Sequence, residues 1–184
     1  DLYAAGIDAS TFRMVVKLAA VKQWILETLD VSQAFLNALL ELPYKVIMMA
    51  PKLFSDAGVC SPGEGWLVER AIYGLRESPN AWGKERDSFL RALEIHLRGM
   101  PIRLKQSMTD PCFWFIQAKP VEMLKDKLPI QLRAMVVSFL GSVTLGTLIT
   151  YVDDLLAAAE QLLTRKLLNA VRRKWKCGEI DSAK

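Results

Sequence analysis

Hydrophobic and polar residues recur along this chain with two different periods, and each switch between them marks an element. From Thr11 to Gln23 the apolar positions Phe12, Val15, Val16, Ala19 and Ala20 fall at helical spacing, with Arg13, Lys17 and Lys22 elsewhere. From Trp24 to Val31 the period drops to two. Ile25, Glu27 and Leu29 point one way and Leu26, Thr28 and Asp30 the other, which predicts a strand ending at Asp30 or Val31. Ser32 to Leu40 reads as a short helix, Tyr44 to Ala50 as a strand that Pro51 ends, and Ser55 to Gly65 as a loop. Trp66 to Ile72 is a further strand and Tyr73 to Pro79 a turn. Pro79 suits a first helical position behind a Ser78 cap.

The next helix carries Trp82, Phe89, Leu90, Leu93 and Leu97 and is expected to stop at Gly99-Met100-Pro101. Asp110-Pro111 opens a strand from Cys112 to Gln117, and residues 118–143 form an irregular insertion with two prolines. Val143 to Val152 is an uncharged run rich in β-branched residues, followed closely by a second apolar run from Leu155 to Ala159. Glu160 to Lys176 predicts an amphipathic helix. Leu162, Leu163, Leu167, Leu168 and Val171 face inward, and Arg165, Lys166, Arg172, Arg173, Lys174 and Lys176 face outward. Strands and helices mix without regular alternation, so the expected fold class is α+β and not a doubly wound sheet.

Composition narrows the classes of function more than it selects one. A chain of 184 residues with 52% hydrophobic content can bury a core and is not a disordered composition. The formal net charge of +4 permits a polyanionic partner. Cys60, Cys112 and Cys177 are widely spaced and form no Cys-x-x-Cys pair, so neither a disulfide framework nor a zinc site is indicated. This fits a reducing, intracellular setting. His96 is the only histidine, which argues against His-based metal sites and Ser-His or Cys-His catalysis. Ala134 to Val152 carries no charge, but Gly141, Gly146 and several hydroxyl residues interrupt it. A buried strand is expected there, and no membrane partner. The chain begins with Asp1 and shows no signal peptide, so it is expected to be a piece of something longer.

The chemistry centres on Tyr151-Val152-Asp153-Asp154, two adjacent carboxylates between two strand-like runs, as at the tip of a hairpin. Burying such a pair costs several kcal/mol per ion unless donors or a cation compensate, and a hard divalent cation suits oxygen ligands. A third carboxylate is therefore sought, and Asp30 qualifies because it ends a strand and precedes a short helix. Three carboxylates around two Mg²⁺ ions about 3.5–4 Å apart suit in-line phosphoryl transfer. On spacing alone the alternatives stay open: Asp-Asp in an ordinary turn, and Asp30 as a helix cap.

Four segments in order resemble the reverse transcriptase of copia-type LTR retrotransposons. They are Asp30-Val-Ser-Gln-Ala-Phe-Leu-Asn37, Ala71-Ile-Tyr-Gly-Leu-Arg-Glu-Ser-Pro-Asn-Ala-Trp82, Asp110-Pro-Cys-Phe113 and Tyr151-Val-Asp-Asp-Leu155. Val46 to Pro51 resembles the segment that follows the first aspartate in that family. The resemblance implies a polymerase palm, an antiparallel sheet backed by helices, with part of the fingers. It places Asp30, Asp153 and Asp154 on the catalytic triad that holds two Mg²⁺ ions, with Mn²⁺ a possible substitute and the Val31 carbonyl reaching a metal.

By the same resemblance Phe35 packs under the incoming sugar and excludes a 2′-hydroxyl, and Tyr73, Gly74 and Arg76 contact the nucleotide and template. The implied substrates are dNTPs and an RNA or DNA template-primer. The implied context is a Pol polyprotein with integrase and ribonuclease H, in the cytoplasm or a virus-like particle. Arg172, Arg173 and Lys174 are the candidate phosphate-backbone contacts, with a solvated helix face as the alternative.

The departures are Glu77 and Asn80 where the family more often has Gln and Arg, Asn37-Ala38 in place of Asn-Gly, and an insertion long enough to splay two strands that should pair. They leave a second reading, a catalytically inactive remnant that acts as a basic nucleic-acid-binding module.

Overall fold

The computed structural model describes residues 6–118 and 142–182. Seven strands form one antiparallel sheet in the order β4-β5-β6-β7-β8-β1-β9. They are β1 (Ile25–Asp30), β4 (Glu94–Leu97), β5 (Met100–Gln106), β6 (Phe113–Ala118), β7 (Val143–Tyr151), β8 (Asp154–Ala159) and β9 (Asp181–Ser182). A separate two-stranded sheet pairs β2 (Ile47–Met49) with β3 (Gly65–Leu67). The helices among the described residues are α1 (Ala9–Lys22), α2 (Lys52–Asp56), α3 (Ser78–Ala92) and α4 (Gln161–Lys174), with a 3₁₀ turn over Ala34–Asn37.

The large sheet is covered on both faces. Leu29, Leu155, Ala157 and Ala159 share a core with Trp82 and Leu90 of α3 and with Leu163, Leu167, Leu168 and Val171 of α4. Val15 and Ala19 of α1 pack on the other face against Phe113, Ile149 and Ala158, with Leu26 and Leu156 beside them. Strand alternation produces this split, because successive side chains leave opposite faces. α1 starts where Asp8 accepts hydrogen bonds from the backbone N–H groups of Ser10 (2.9 Å) and Thr11 (3.3 Å). It ends at Gln23 in the left-handed region.

Several expectations are corrected. The helix through Trp82 ends at Ala92, and Leu93 to Leu97 does not continue it. Glu94–Leu97 is strand β4, with Ile95 and Leu97 buried and Glu94 and His96 exposed. Arg98 (φ 51°) and Gly99 (φ 81°) turn the chain into β5, so Gly99-Met100 belongs to a tight hairpin and not to a helix stop. Leu93 and Leu97 lie four apart, which suits a helix face, while 93, 95 and 97 also suit a strand. Here the turn chemistry decided. Ser32–Leu40 holds only the 3₁₀ turn, β2 and β3 are shorter than the runs that predict them, and α2 overlaps the start of the expected loop. Ser78 is the first helical residue but caps nothing. Its hydroxyl instead donates to the Ile72 carbonyl (2.6 Å) and accepts from the Ile72 N–H (2.9 Å). Leu162 is exposed and not inward.

The insertion expected over 118–143 lies, except at its ends, outside the described residues. Those ends correct one expectation: Ala118 pairs with Val143, so β6 and β7 are not splayed. Gly146 explains how closely β7 meets its neighbours. A Cβ there would stand 2.5 Å from the Ala159 Cβ and 2.6 Å from the Ala158 carbonyl oxygen. The uncharged run is strand from Val143 onward, and among the described residues no helix is long and apolar enough to cross a membrane.

Candidate metal and nucleotide site

β1 and β8 pair antiparallel from Ile25↔Ala159 through to Asp30↔Asp154, so two acids distant in sequence lie directly opposite each other at the sheet's end. β7 and β8 form a hairpin closed by Tyr151↔Asp154, with Val152 and Asp153 as its two turn residues. The Val31 N–H donates to the Asp153 carbonyl at 3.0 Å, fastening the turn to the end of β1. From the other side, Gly178 N–H donates to the Asp30 carbonyl (3.0 Å) and Ser32 N–H to the Lys176 carbonyl (2.9 Å). The backbone therefore brings Asp30, Val31, Asp153 and Asp154 together, as the sequence reading expects.

By alternation Asp30 and Asp154 leave the sheet on the face that carries α1, opposite to Leu29 and Leu155. Asp30 and Asp154 are exposed and Asp153 half-buried, so these acids are not the buried pair the sequence suggests. The Asp154 carboxyl is still pushed above its ordinary value, first by partial desolvation against the strand end and then by the charges of Asp153 and Asp30. The charges of Asp153 and Asp30 beside Asp154 are of the kind that a hard divalent cation offsets. Among the described residues, no group of three or more His, Cys, Asp or Glu side chains is placed so that it could hold a metal ion, so the expected three-carboxylate cluster is not found as such. Strand register, and not a preformed cluster, is what brings these acids together.

Of the nucleotide candidates, Phe35 and Tyr73 are brought into ring contact, with centroids 4.8 Å apart. Gly74 follows with φ 88° and open space where a Cβ would stand, and Arg76 in the same turn is exposed. Glu77, one of the departures, has a local role: it accepts a hydrogen bond from the Tyr44 hydroxyl at 2.8 Å, which raises the phenol above its ordinary value. The basic residues Arg172, Arg173 and Lys174 sit in the last turn of α4, which packs on the sheet face opposite the carboxylates. Lys174 pairs with Glu85 at 3.3 Å. The chain just beyond these residues bonds to the end of β1. The Cys177 thiol, pushed up first by burial, feels the charges of both Arg172 and Asp30. The basic end of α4 thus stands at the same end of the sheet as the carboxylates but on its other face.

Two residues with a part in the site were missed by the sequence reading. The indole N–H of Trp82 and the guanidinium of Arg86 both donate to the Val152 carbonyl, at 2.6 and 3.1 Å. A signal was present. Arg86 lies on the stripe of α3 that also holds Trp82, Phe89, Leu90 and Leu93, and a charge on an apolar stripe asks for a buried partner. Asp110 also gains a role: its carboxylate accepts from the Cys112 N–H (2.9 Å) and the Asp8 N–H (3.2 Å), tying the start of β6 to the start of α1.

An α+β domain that places an acidic hairpin turn against a third acid on the neighbouring strand is the arrangement the motifs anticipate for a nucleotidyl-transferring class. The family model described as reverse transcriptase (RNA-dependent DNA polymerase) matches residues 1–103, more than half of the chain. The chain belongs to this family. The matched stretch contains Asp30, Phe35, Tyr73, Gly74, Arg76 and Trp82, and it ends before Asp153 and Asp154.

Among curated proteins the chain is similar to the retrovirus-related Pol polyprotein from transposon TNT 1-94 of Nicotiana tabacum. The two are 28% identical over 119 residues, covering 62% of this chain and 8% of that protein. It is also similar to the Pol polyproteins from transposons RE2 and RE1 of Arabidopsis thaliana, at 31% and 30% identity over 90 residues, 49% of this chain and 6% of each relative. The chain thus spans less than a tenth of the length of these relatives. No solved structure matches it.

Proposed function

We propose that this chain is the core of an RNA-directed DNA polymerase from a copia-type retrotransposon, with the large sheet as a palm and the β2–β3 unit as part of the fingers. It would extend a primer on an RNA or DNA template by adding dNTPs, as one part of a Pol polyprotein that also supplies integrase and ribonuclease H. The observation that carries this reading is the register Asp30↔Asp154 with Asp153 in the adjoining turn. Two Mg²⁺ ions, or Mn²⁺, held by Asp30, Asp153, Asp154 and the Val31 carbonyl would supply an activated primer 3′-hydroxyl and offset charge on the leaving oxygen.

The chain's own residues position the reactants. The Phe35 ring, backed by Tyr73, forms the floor under the incoming sugar and excludes a 2′-hydroxyl. Gly74 allows close backbone approach, and exposed Arg76 is free to meet phosphate. Catalysis would come from positioning and charge stabilisation. Primer extension on an RNA template tests the reading, using a longer chain that carries the flanking polyprotein segments. Wild-type extension lost in Asp153→Asn supports it, and undiminished incorporation in Asp153→Asn overturns it.

One observation favours a second reading. The basic end of α4 lies on the face away from the carboxylates, so phosphate contacts by Arg172, Arg173 and Lys174 need no catalytic site. A remnant that only binds nucleic acid would show salt-dependent RNA binding with no Mg²⁺-dependent rise in melting temperature. An intact site would show that rise.

A further inference from the structure

Asp153 lies between two peptide groups, and both are held. The one that follows it is fixed because the Val31 N–H donates to the Asp153 carbonyl. The one that precedes it contains the Val152 carbonyl, which accepts from Trp82 Nε1 (2.6 Å) and Arg86 Nη1 (3.1 Å). A carbonyl oxygen offers two lone pairs, and here both have a donor. The peptide unit is planar, so fixing its oxygen also fixes the N–H of Asp153 and the direction in which its Cα leaves.

Val152 needs that restraint. It sits at φ 49°, a conformation that disfavours β-branched residues and that tight hairpins usually give to glycine. The donors themselves are rigid. Trp82 is fully buried, its ring edge-on to Trp175 with centroids 4.9 Å apart. Arg86 is 4% exposed and bound to Asp87, with Nε and Nη2 at 3.0 and 2.9 Å from Oδ1. Asp87 is held in turn by Gln106, whose amide donates to it at 3.0 Å and to the Pro111 carbonyl at 2.7 Å.

We propose that Trp82 and Arg86 are positioning residues: by clamping the Val152 carbonyl they set the orientation in which Asp153 and Asp154 are presented. The proposal deepens the polymerase reading and rests on it for the role of those acids. If Trp82 were only a core aromatic, its indole N–H would have no reason to share one turn oxygen with a buried arginine from the next helical turn.

The test uses this chain with Trp82→Phe, which keeps a ring and loses the donor, and Arg86→Met as an independent variant. Amide exchange is read by NMR and Mn²⁺ uptake by electron paramagnetic resonance, with Asp153→Asn as the metal control. Exchange at Val31 and Asp154 should quicken by at least about tenfold while the paired β5–β6 residues Leu104 and Ile116 hold their rates. Mn²⁺ affinity should fall about tenfold, as when a ligand's supporting shell is lost. Unchanged exchange at the turn overturns the proposal, and so does acceleration that spreads equally to Leu104 and Ile116. A loosened turn with unaltered Mn²⁺ affinity also overturns the positioning role. Absence of Mn²⁺ uptake by the wild-type chain, or uptake indifferent to Asp153→Asn, would instead remove the metal reading, and the exchange rates would still decide whether the clamp holds the turn.

Discussion

Glu27 lies three residues before Asp30 on β1, is fully buried, and faces α4, where Arg165 Nε approaches its Oε1 at 2.6 Å. That contact is close but badly aligned, since neither carboxylate oxygen of Glu27 has a hydrogen-bond partner by geometry. Two perturbations should therefore differ in sign. Arg165→Met leaves a buried carboxylate without its counter-charge. Breaking a buried pair from one side costs about 3–5 kcal/mol, and because Arg165 is 42% exposed and already screened by water, about 2–3 kcal/mol is expected here. For a chain of this size that corresponds to a fall of about 4–12 °C in Tm.

Glu27→Met removes the charge and its desolvation penalty while keeping an unbranched chain of similar volume. It should be neutral or stabilising by about 1 kcal/mol. Urea unfolding followed by tryptophan fluorescence measures both variants, and the double variant completes a cycle. Once Glu27 is Met, Arg165→Met should lose most of its cost. The reasoning is refuted if Arg165→Met costs less than about 0.5 kcal/mol while Glu27→Met costs more than about 2 kcal/mol, because the acid would then be stabilised by something other than this arginine.

Gly146→Ala should destabilise by about 1–3 kcal/mol in the same assay, because its Cβ would meet the Ala158 carbonyl at 2.6 Å and the strands would have to separate. Asp154→Asn should raise metal-free stability by about 0.5 kcal/mol by relieving like charge directly across the strand pair, and abolish any Mg²⁺-dependent rise in Tm. The Asp154 carboxyl is raised in the fold, so the folded state favours its protonated form. Metal-free wild-type stability should carry a contribution that is present at low pH and lost as pH rises through that raised value, and Asp154→Asn should lack it in parallel pH titrations. Cys112 is buried, and its thiol is pushed up chiefly by that burial. Alkylation of the native protein followed by mass spectrometry should label Cys60 well before Cys112, and equal rates would contradict the packing at the start of β6.

The long periodic segments were legible without coordinates. The alternation of Glu27 and Leu29 against Asp30 and the Leu163-Leu167-Val171 face each name their element and their buried side. The stripe of α1 names the helix but buries only Val15 and Ala19 and leaves Phe12, Val16 and Ala20 exposed. The acidic turn was legible too, because two aspartates between two apolar runs leave few arrangements other than a hairpin tip. Legibility failed at Leu93–Leu97, where one spacing satisfies both periods and a two-residue turn settled the matter. It failed again at Arg86, whose partner is a carbonyl far along the chain.

Periodicity is a property of neighbouring residues, so the sequence by itself determined most of the longer helices and strands, and which acids were available for chemistry. Register and facing are different quantities, set only when distant segments fit one another. The apposition of Asp30 with Asp154, the capture of the Val152 carbonyl, and the placement of Arg172 and Arg173 behind the sheet were decided by how β1, α3 and α4 close over a common core. A one-residue slip of β1 against β8 would leave every local preference intact. It would turn Asp30 to the other face of the sheet, and the packing of Leu29 and Val31 into that core, with the backbone bonds that fasten the end of β1, forbids it.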